Sequence, residues 1–93
     1  MSIARINEFQ AHPGQGDALL DLIRSFVHVI ESSQGCQSCQ LLQNQDDPTR
    51  ILAIEFWDTV ESHQASLQNI PPEAMAQAMV LLAGPPKGEY YRT

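Results

Sequence analysis

The residues of this chain that could do chemistry are few, and most lie in or just after its third predicted strand. His63 carries an imidazole that can exchange protons near neutral pH, although it could equally be a plain residue at a helix edge. Glu55 could act as a base if burial raised its pKa; we favour instead an ion pair with Arg5 or Arg92. Trp57 offers a flat aromatic face, suited either to a pocket wall or to the core.

Other side chains could line a site for an aromatic molecule. Methionine suits an adaptable apolar pocket and ordinary core alike, and core is the interpretation that we favour for these residues. The candidates are Phe26, Leu22, Met75 and Met79. Tyr90 and Tyr91 alternate faces on the last predicted strand, so one of them should reach the interior or an interface. We take Tyr91 as the candidate for a hydroxyl that contacts substrate.

Two cysteines, Cys36 and Cys39, have the CxxC spacing of a redox pair or of half a metal site. A structural zinc site needs more ligands, and the sequence has no second Cys pair or His pair. A redox CxxC normally opens a helix, whereas this one opens a predicted strand. We therefore expect small packing residues and no metal site.

The charge balance excludes some partners. Five basic residues face eleven acidic ones, for a net charge of −6, whereas binding phosphates needs clustered Lys and Arg. Nucleic acid and anionic membrane surfaces are therefore disfavoured. No apolar run reaches the length of a membrane span, and residues 1–5 do not resemble a secretory signal. We expect a cytoplasmic location.

Hydrophobic periodicity predicts seven elements. Alternating or apolar runs bounded by turn residues predict strands at 3–11, 37–45, 50–57 and 87–93. Helical spacing predicts helices at 17–33, from a cap at Asp58 or Thr59 to about residue 69, and from Pro72 to about residue 82. The order βαββααβ predicts one α+β domain over residues 1–93, with a four-stranded antiparallel sheet and helices on one face, the ferredoxin-like arrangement.

The third predicted strand is apolar on both faces. Leu52, Ile54 and Phe56 alternate with a second set that includes Ile51 and Ala53. Helices can cover one face, but a chain of 93 residues has nothing left to cover the other. We therefore predict a homodimer.

Several segments together resemble a known family. They are 12–14 (His-Pro-Gly) after strand one, 33–36 (Ser-Gln-Gly-Cys) before strand two, and 54–59 (Ile-Glu-Phe-Trp-Asp-Thr) followed by Glu61 and His63. Their order and spacing resemble the antibiotic biosynthesis monooxygenase family over nearly the whole chain. The resemblance implies a dimeric α+β barrel. It also implies, for some members, oxidation of phenols or quinols by O₂ without metal or organic cofactor.

Asn7 is placed like the strand-one asparagine of haem-degrading relatives, and its amide could hold a substrate oxygen; otherwise it is a partly exposed sheet residue. The same relatives carry a tryptophan on helix two and a histidine about ten residues later, and neither occurs in 62–67 or 72–77. Haem cleavage is therefore disfavoured. Many oxygenase-like members carry a Pro-His pair near the start of helix three, which is Pro-Pro-Glu at 71–73 here, so quinol oxidation is left without one familiar residue.

The first hypothesis is a cofactor-independent monooxygenase that acts on a phenolic, quinol or polycyclic aromatic small molecule. His63 and Asn7 are its catalytic candidates, with Trp57 shaping the pocket. The alternative is a non-catalytic small-ligand-binding or signalling domain of the same fold. A third possibility is a redox or metal protein built on Cys36 and Cys39.

Overall fold

A computed structural model describes residues 2–93 of the chain. These residues form strands and helices in the order that the sequence predicts. The strands are β1 (Ile3–Gln10), β2 (Cys36–Gln43), β3 (Arg50–Trp57) and β4 (Lys87–Arg92), and the helices are α1 (Gly16–Glu31), α2 (Val60–Ser66) and α3 (Pro72–Leu81). None of the helices within the described range is long and apolar enough to cross a membrane.

The four strands form one antiparallel sheet in the order β2-β3-β1-β4. The central strands β1 and β3 each begin a βαβ half, and the partner strands β2 and β4 lie at the two edges. This is the strand order of the ferredoxin-like split βαβ arrangement. The predicted fold class is confirmed.

The core lies between α1 and the β2 half of the sheet. The apolar stripe of α1 buries Leu19, Leu20 and Ile23, as its helical spacing requires. These side chains pack against Ile51 of β3, with Phe9 of β1 and Leu41 of β2 at the margin. Helix α1 therefore covers one end of the sheet and leaves the end near Trp57 to α2.

Helices α2 and α3 are separated where the sequence predicts a break. The side chain of Thr59 accepts a hydrogen bond from the backbone N–H of Ser62 at 3.1 Å, which fixes the start of α2. Pro72 occupies the first turn of α3, where a missing N–H costs nothing. None of the α3 residues is buried, and α3 packs on α1 rather than on the sheet.

Element ends differ from the prediction by a few residues, for local reasons. β2 ends at Gln43 because the Asn44 side chain accepts hydrogen bonds from the backbone N–H groups of Asp46 and Asp47, at 2.9 and 2.8 Å, and so forms a turn. The last three residues predicted for α2 form a 3-10 turn, Leu67–Asn69.

The two faces of β3 differ in what covers them. Ile51, Ala53, Glu55 and Trp57 are buried beneath the helices, whereas Leu52, Ile54 and Phe56 on the opposite face are half-buried. We call this opposite side of the sheet the open face. It also carries Leu42 and Tyr91, which are exposed. The apolar character of both β3 faces therefore leaves one apolar face without helices.

Gly35 lies in the loop between α1 and β2, next to the start of α2. Its φ is +90°, in the left-handed region that favours glycine. A Cβ built at Gly35 would lie 2.6 Å from Cβ of Ser62, in the first turn of α2. The backbone carbonyl of Gly35 also accepts a hydrogen bond from the Asp58 N–H at 2.9 Å. This glycine therefore permits the close approach that sets the position of α2.

Gly35→Ala should destabilise the protein more than Gly14→Ala, because both sites have positive φ but only Gly35 lacks space for a methyl group. The left-handed conformation alone should cost each variant about 1–2 kcal/mol. Urea unfolding of both variants measures the difference in free energy of unfolding. Equal losses would contradict the packing role given to Gly35.

Candidate functional site

Six side chains meet on the helix-covered face of the sheet, at the end covered by α2. β1 contributes two, β3 two, α2 one and β4 one, because strand alternation and register bring the same face of three strands together. We call them the polar cluster: Arg5, Asn7, Glu55, Trp57, His63 and Tyr90. Arg5 stands opposite Glu55 on one side and opposite Tyr90 on the other.

Glu55 and Trp57 form the buried base of the cluster. They share a face of β3, and the indole Nε1–H of Trp57 donates a hydrogen bond to Glu55 Oε1 at 2.8 Å. Trp57 is fully buried and Glu55 is 4% exposed. Burial raises the pKa of Glu55, while the Trp57 hydrogen bond and the charge of Arg5 act in the opposite direction. Two partners thus support the carboxylate at a site that burial makes unfavourable for charge.

His63 lies between the carboxyl group and a tyrosine. It projects from α2, is 4% exposed, and makes edge contacts with the rings of Trp57 and Tyr90 at centroid distances of 5.5 and 5.4 Å. Its Nδ1 is 2.7 Å from the Tyr90 hydroxyl, and its Nε2 is 4.0 Å from Glu55 Oε1. We assign the proton of the neutral ring to Nε2, which faces the carboxylate, so that Tyr90 donates to Nδ1.

Burial and the charge of Arg5 both lower the pKa of His63. The imidazole is therefore predominantly neutral near pH 7, the state in which a histidine can accept a proton. Glu55 is its nearest acidic neighbour within the described chain. Arg5 and Arg92, the partners that the sequence suggested for Glu55, form no ion pair with it within 4.0 Å in residues 2–93.

Arg5 places a fixed positive charge beside the tyrosine. Its guanidinium carbon lies 4.5 Å from the centroid of the Tyr90 ring, a cation–π geometry. Its Nε donates a hydrogen bond to Asn7 Oδ1 at 3.1 Å. Both side chains cross the backbone of Gly88, where any Cβ would clash with them. Asn7 and Gly88 therefore hold the arginine in place.

Together these groups form a chain of tyrosine hydroxyl, imidazole and carboxylate. The Tyr90 hydroxyl touches His63, and the far nitrogen of His63 faces Glu55. Such a chain can take a proton at the tyrosine end and hold the resulting imidazolium next to a negative charge. The chemistry that this arrangement supports is proton abstraction.

The sequence-predicted site residues separate into two groups. His63, Asn7 and Trp57 all belong to the polar cluster, as does Glu55. Tyr91 lies on the open face, where its hydroxyl donates a hydrogen bond to Glu89 at 3.0 Å. Phe26 is half-buried on α1, and Met75 and Met79 are exposed on α3. A lining role for these last four residues stays a prediction.

Sequence reasoning missed Tyr90 and Arg5 as members of the site. Both lie on the face that carries Asn7, and their strands are neighbours in the sheet. Strand alternation already places Arg5 on the face of Asn7, although it does not give Arg5 a role. The choice between Tyr90 and Tyr91 needed the register of β4 against β1, which a six-residue strand does not reveal by pattern.

The two cysteines lie on β2, near the carboxyl group. Cys39 is buried, Cys36 is half-buried, and both are free thiols. Burial and the charge of Glu55 raise the pKa of both thiols, that of Cys39 to about 12. A reactive redox thiol requires the opposite shift. No group of three His, Cys, Asp or Glu side chains in residues 2–93 is arranged to hold a metal ion.

Two cavities lie away from the polar cluster. One, of about 430 Å³, is a shallow apolar depression between α1 and α3 lined by Leu22, Val80 and Leu81 among others. The other, of about 500 Å³, lies mainly on the open face and includes Leu42, Leu52, Arg50 and Lys87 in its lining. Neither cavity is lined by His63, Asn7 or Trp57.

Glu55→Gln should stabilise the protein relative to the wild type increasingly as pH rises from about 4 to 7. Because the folded state raises the pKa of Glu55 above its ordinary value of 4.5, the folded protein binds this proton more tightly than the unfolded chain does. Wild-type stability is therefore lost as pH rises through that window, and glutamine removes this loss while keeping an acceptor for Trp57. Urea unfolding at several pH values measures the difference in free energy of unfolding between the variant and the wild type. A difference that does not change with pH would contradict the argument that burial raises the pKa of Glu55.

The chain matches one family model and resembles several solved structures. The family model described as antibiotic biosynthesis monooxygenase matches residues 2–79. A protein from Chloroflexus aurantiacus J-10-fl, provisionally described as an antibiotic biosynthesis monooxygenase, is 32% identical, with 100% of this chain and 95% of that chain covered and a TM-score of 0.77. No functionally curated protein matches the sequence.

More distant structures share the fold. Rv0793 from Mycobacterium tuberculosis is 20% identical with a TM-score of 0.84, covering 100% of this chain and 95% of that chain. A mutant of SnoaB, a cofactor-independent oxygenase from Streptomyces nogalater, is 15% identical with a TM-score of 0.82, covering 99% and 92%. These two distant structures support the α+β fold alone. The family match over residues 2–79 and the 32% identical protein show that the chain belongs to the antibiotic biosynthesis monooxygenase family.

Proposed function

We propose that this protein is a cofactor-independent monooxygenase that acts on a phenolic, quinol or polycyclic aromatic small molecule. The observation that carries the proposal is the buried, predominantly neutral His63, with Tyr90 on one ring nitrogen and Glu55 facing the other. Family membership supports it, as does the similar fold of SnoaB, a cofactor-independent oxygenase.

The reaction needs a base before it needs O₂. Removing the phenolic proton converts the aromatic ring into an electron-rich anion, which can itself reduce O₂. The substrate supplies all the electrons, with one oxygen atom retained in the product and the other released as water. The protein must therefore remove a proton, stabilise an anion and exclude water, and in this proposal it supplies no redox group.

The roles follow from the positions. His63 is the base, and Glu55 stabilises the imidazolium that forms when the proton arrives. Asn7 orients Arg5, whose charge favours an anion at the site. Trp57 is fully covered by protein, so we assign it to holding Glu55 and closing the base of the site. Phe26, Met75 and Met79 remain the proposed apolar walls of the substrate site.

His63→Ala should reduce O₂ uptake with a dihydroquinone or anthrone-type substrate by about 100-fold or more, the usual contribution of a general base. The matched control is His28→Ala, because His28 is exposed on α1 and outside the cluster. Oxygen-electrode rates over a panel of phenols measure the effect. Absence of uptake above background for every phenol, with ligand-dependent thermal stabilisation, would favour the non-catalytic ligand-binding alternative.

We also propose that a second copy of the chain covers the open face. The apolar residues of that face, Ile6, Leu52, Ile54 and Phe56, are only half-buried, and a sheet face of this kind is stable when another layer packs on it. Two copies packed face to face would give the dimeric α+β barrel that the family resemblance implies.

Ile54→Lys should convert the dimer to a monomer, because it places a charge at the centre of the open face. Val80→Lys is the matched control, since Val80 is an apolar residue on α3 that is 75% exposed. Sedimentation velocity measures the mass in solution. A wild-type monomer at micromolar concentration, or dimers in both variants, would contradict a dimer through this face.

A further inference from the structure

In the series of Tyr90 hydroxyl, His63 imidazole and Glu55 carboxylate, the tyrosine is the most exposed residue. His63 and Glu55 are each 4% exposed, whereas Tyr90 is 36% exposed. The nitrogen of His63 that could accept a proton already has the Tyr90 hydroxyl 2.7 Å away. A molecule that approaches the cluster therefore meets Tyr90 before it can reach the imidazole.

We propose that Tyr90 is the catalytic residue that contacts the phenol and takes its proton, while passing its own proton to His63. This inference rests on the proposed function in one respect, that the ligand is a phenol. The bond from the phenolic oxygen to hydrogen breaks as a new O–H bond forms at Tyr90 Oη. The original O–H bond of Tyr90 breaks as an N–H bond forms at His63 Nδ1. The tyrosine ends neutral, the imidazole carries a positive charge, and the phenol is an anion.

The charges of the polar cluster stabilise the imidazolium and the phenolate that this transfer forms. The imidazolium faces Glu55 across 4.0 Å, and the phenolate forms next to Tyr90, over whose ring Arg5 lies. Arg5 is half-buried and held by Asn7, so its charge is in place before the ligand arrives. Each positive group thus has an anionic partner.

The same geometry specifies the ligand class. A fixed guanidinium beside a proton acceptor selects an acidic phenol, which gives up its proton at the site and is then held as its anion. A phenyl ether has no proton to give, and an aromatic cation would be repelled by Arg5. Asn7 and Gly88 are positioning residues in this scheme, because they fix the arginine without reaching the ligand.

The test uses 4-nitrophenol, whose anion absorbs visible light while the neutral form does not. Wild-type protein should increase the ionised fraction of the bound probe at a pH below its free titration. Tyr90→Phe should reduce the ionisation equilibrium constant of the bound probe by about tenfold or more, the effect of losing a hydrogen bond to a charged group. Ser25→Ala is the control, because it removes a hydroxyl that is exposed on α1 and lies outside the polar cluster.

The outcomes separate this inference from the proposed function. If Tyr90→Phe ionises the probe as well as wild type does, or if 4-nitrophenol does not bind, the inference is wrong. If Tyr90→Phe retains full O₂ uptake while His63→Ala loses it, the phenol reaches the imidazole directly and the inference again fails, with the proposed function intact. Ionisation of the probe that depends on Tyr90, without O₂ uptake for any phenol, supports the inference and overturns the monooxygenase proposal.

Discussion

The hydrogen bond from Trp57 to Glu55 is the interaction around which the functional end of this molecule is arranged. A carboxyl group beneath a helix is costly unless partners support its charge. Here one partner comes from the same strand, a second charge comes from the neighbouring strand, and the imidazole of α2 closes the site from above. The position of α2 therefore determines the surroundings of Glu55 as well as the placement of His63.

That position depends on residues outside the polar cluster. Thr59 fixes where α2 begins. Gly35, in the loop that follows α1, allows this loop to lie against the first turn of α2. The strand register places Arg5 between the Glu55 carboxyl group and Tyr90, because β1 lies between β3 and β4. The site is thus assembled from four elements, and its precision comes from the sheet, which is more rigid than a loop.

Most of the fold could be predicted from the sequence because its determinants are local. The His-Pro-Gly turn at 12–14, the Thr59 cap and the Pro72 start each act within a few residues. The candidate site was harder, because it depends on pairing. His63, Asn7 and Trp57 were selected by type, and the structure brings them to one cluster. Tyr90 could not be separated from Tyr91 without the β4 register, since both are aromatic and adjacent, and a shift by one residue exchanges their faces.

This sequence lacks the tryptophan on helix two and the later histidine of haem-degrading relatives. The polar cluster takes its ionisable groups mainly from the sheet, and α2 supplies only His63 to it. Burial shifts the pKa values of Glu55 and His63 in opposite directions, both toward the neutral form. A buried neutral imidazole gains its proton most readily when the group that gives up the proton remains nearby as an anion, because the two new charges then attract each other. An acidic phenol delivers both at once, which is why the arrangement favours proton abstraction from a ligand over a permanent internal ion pair.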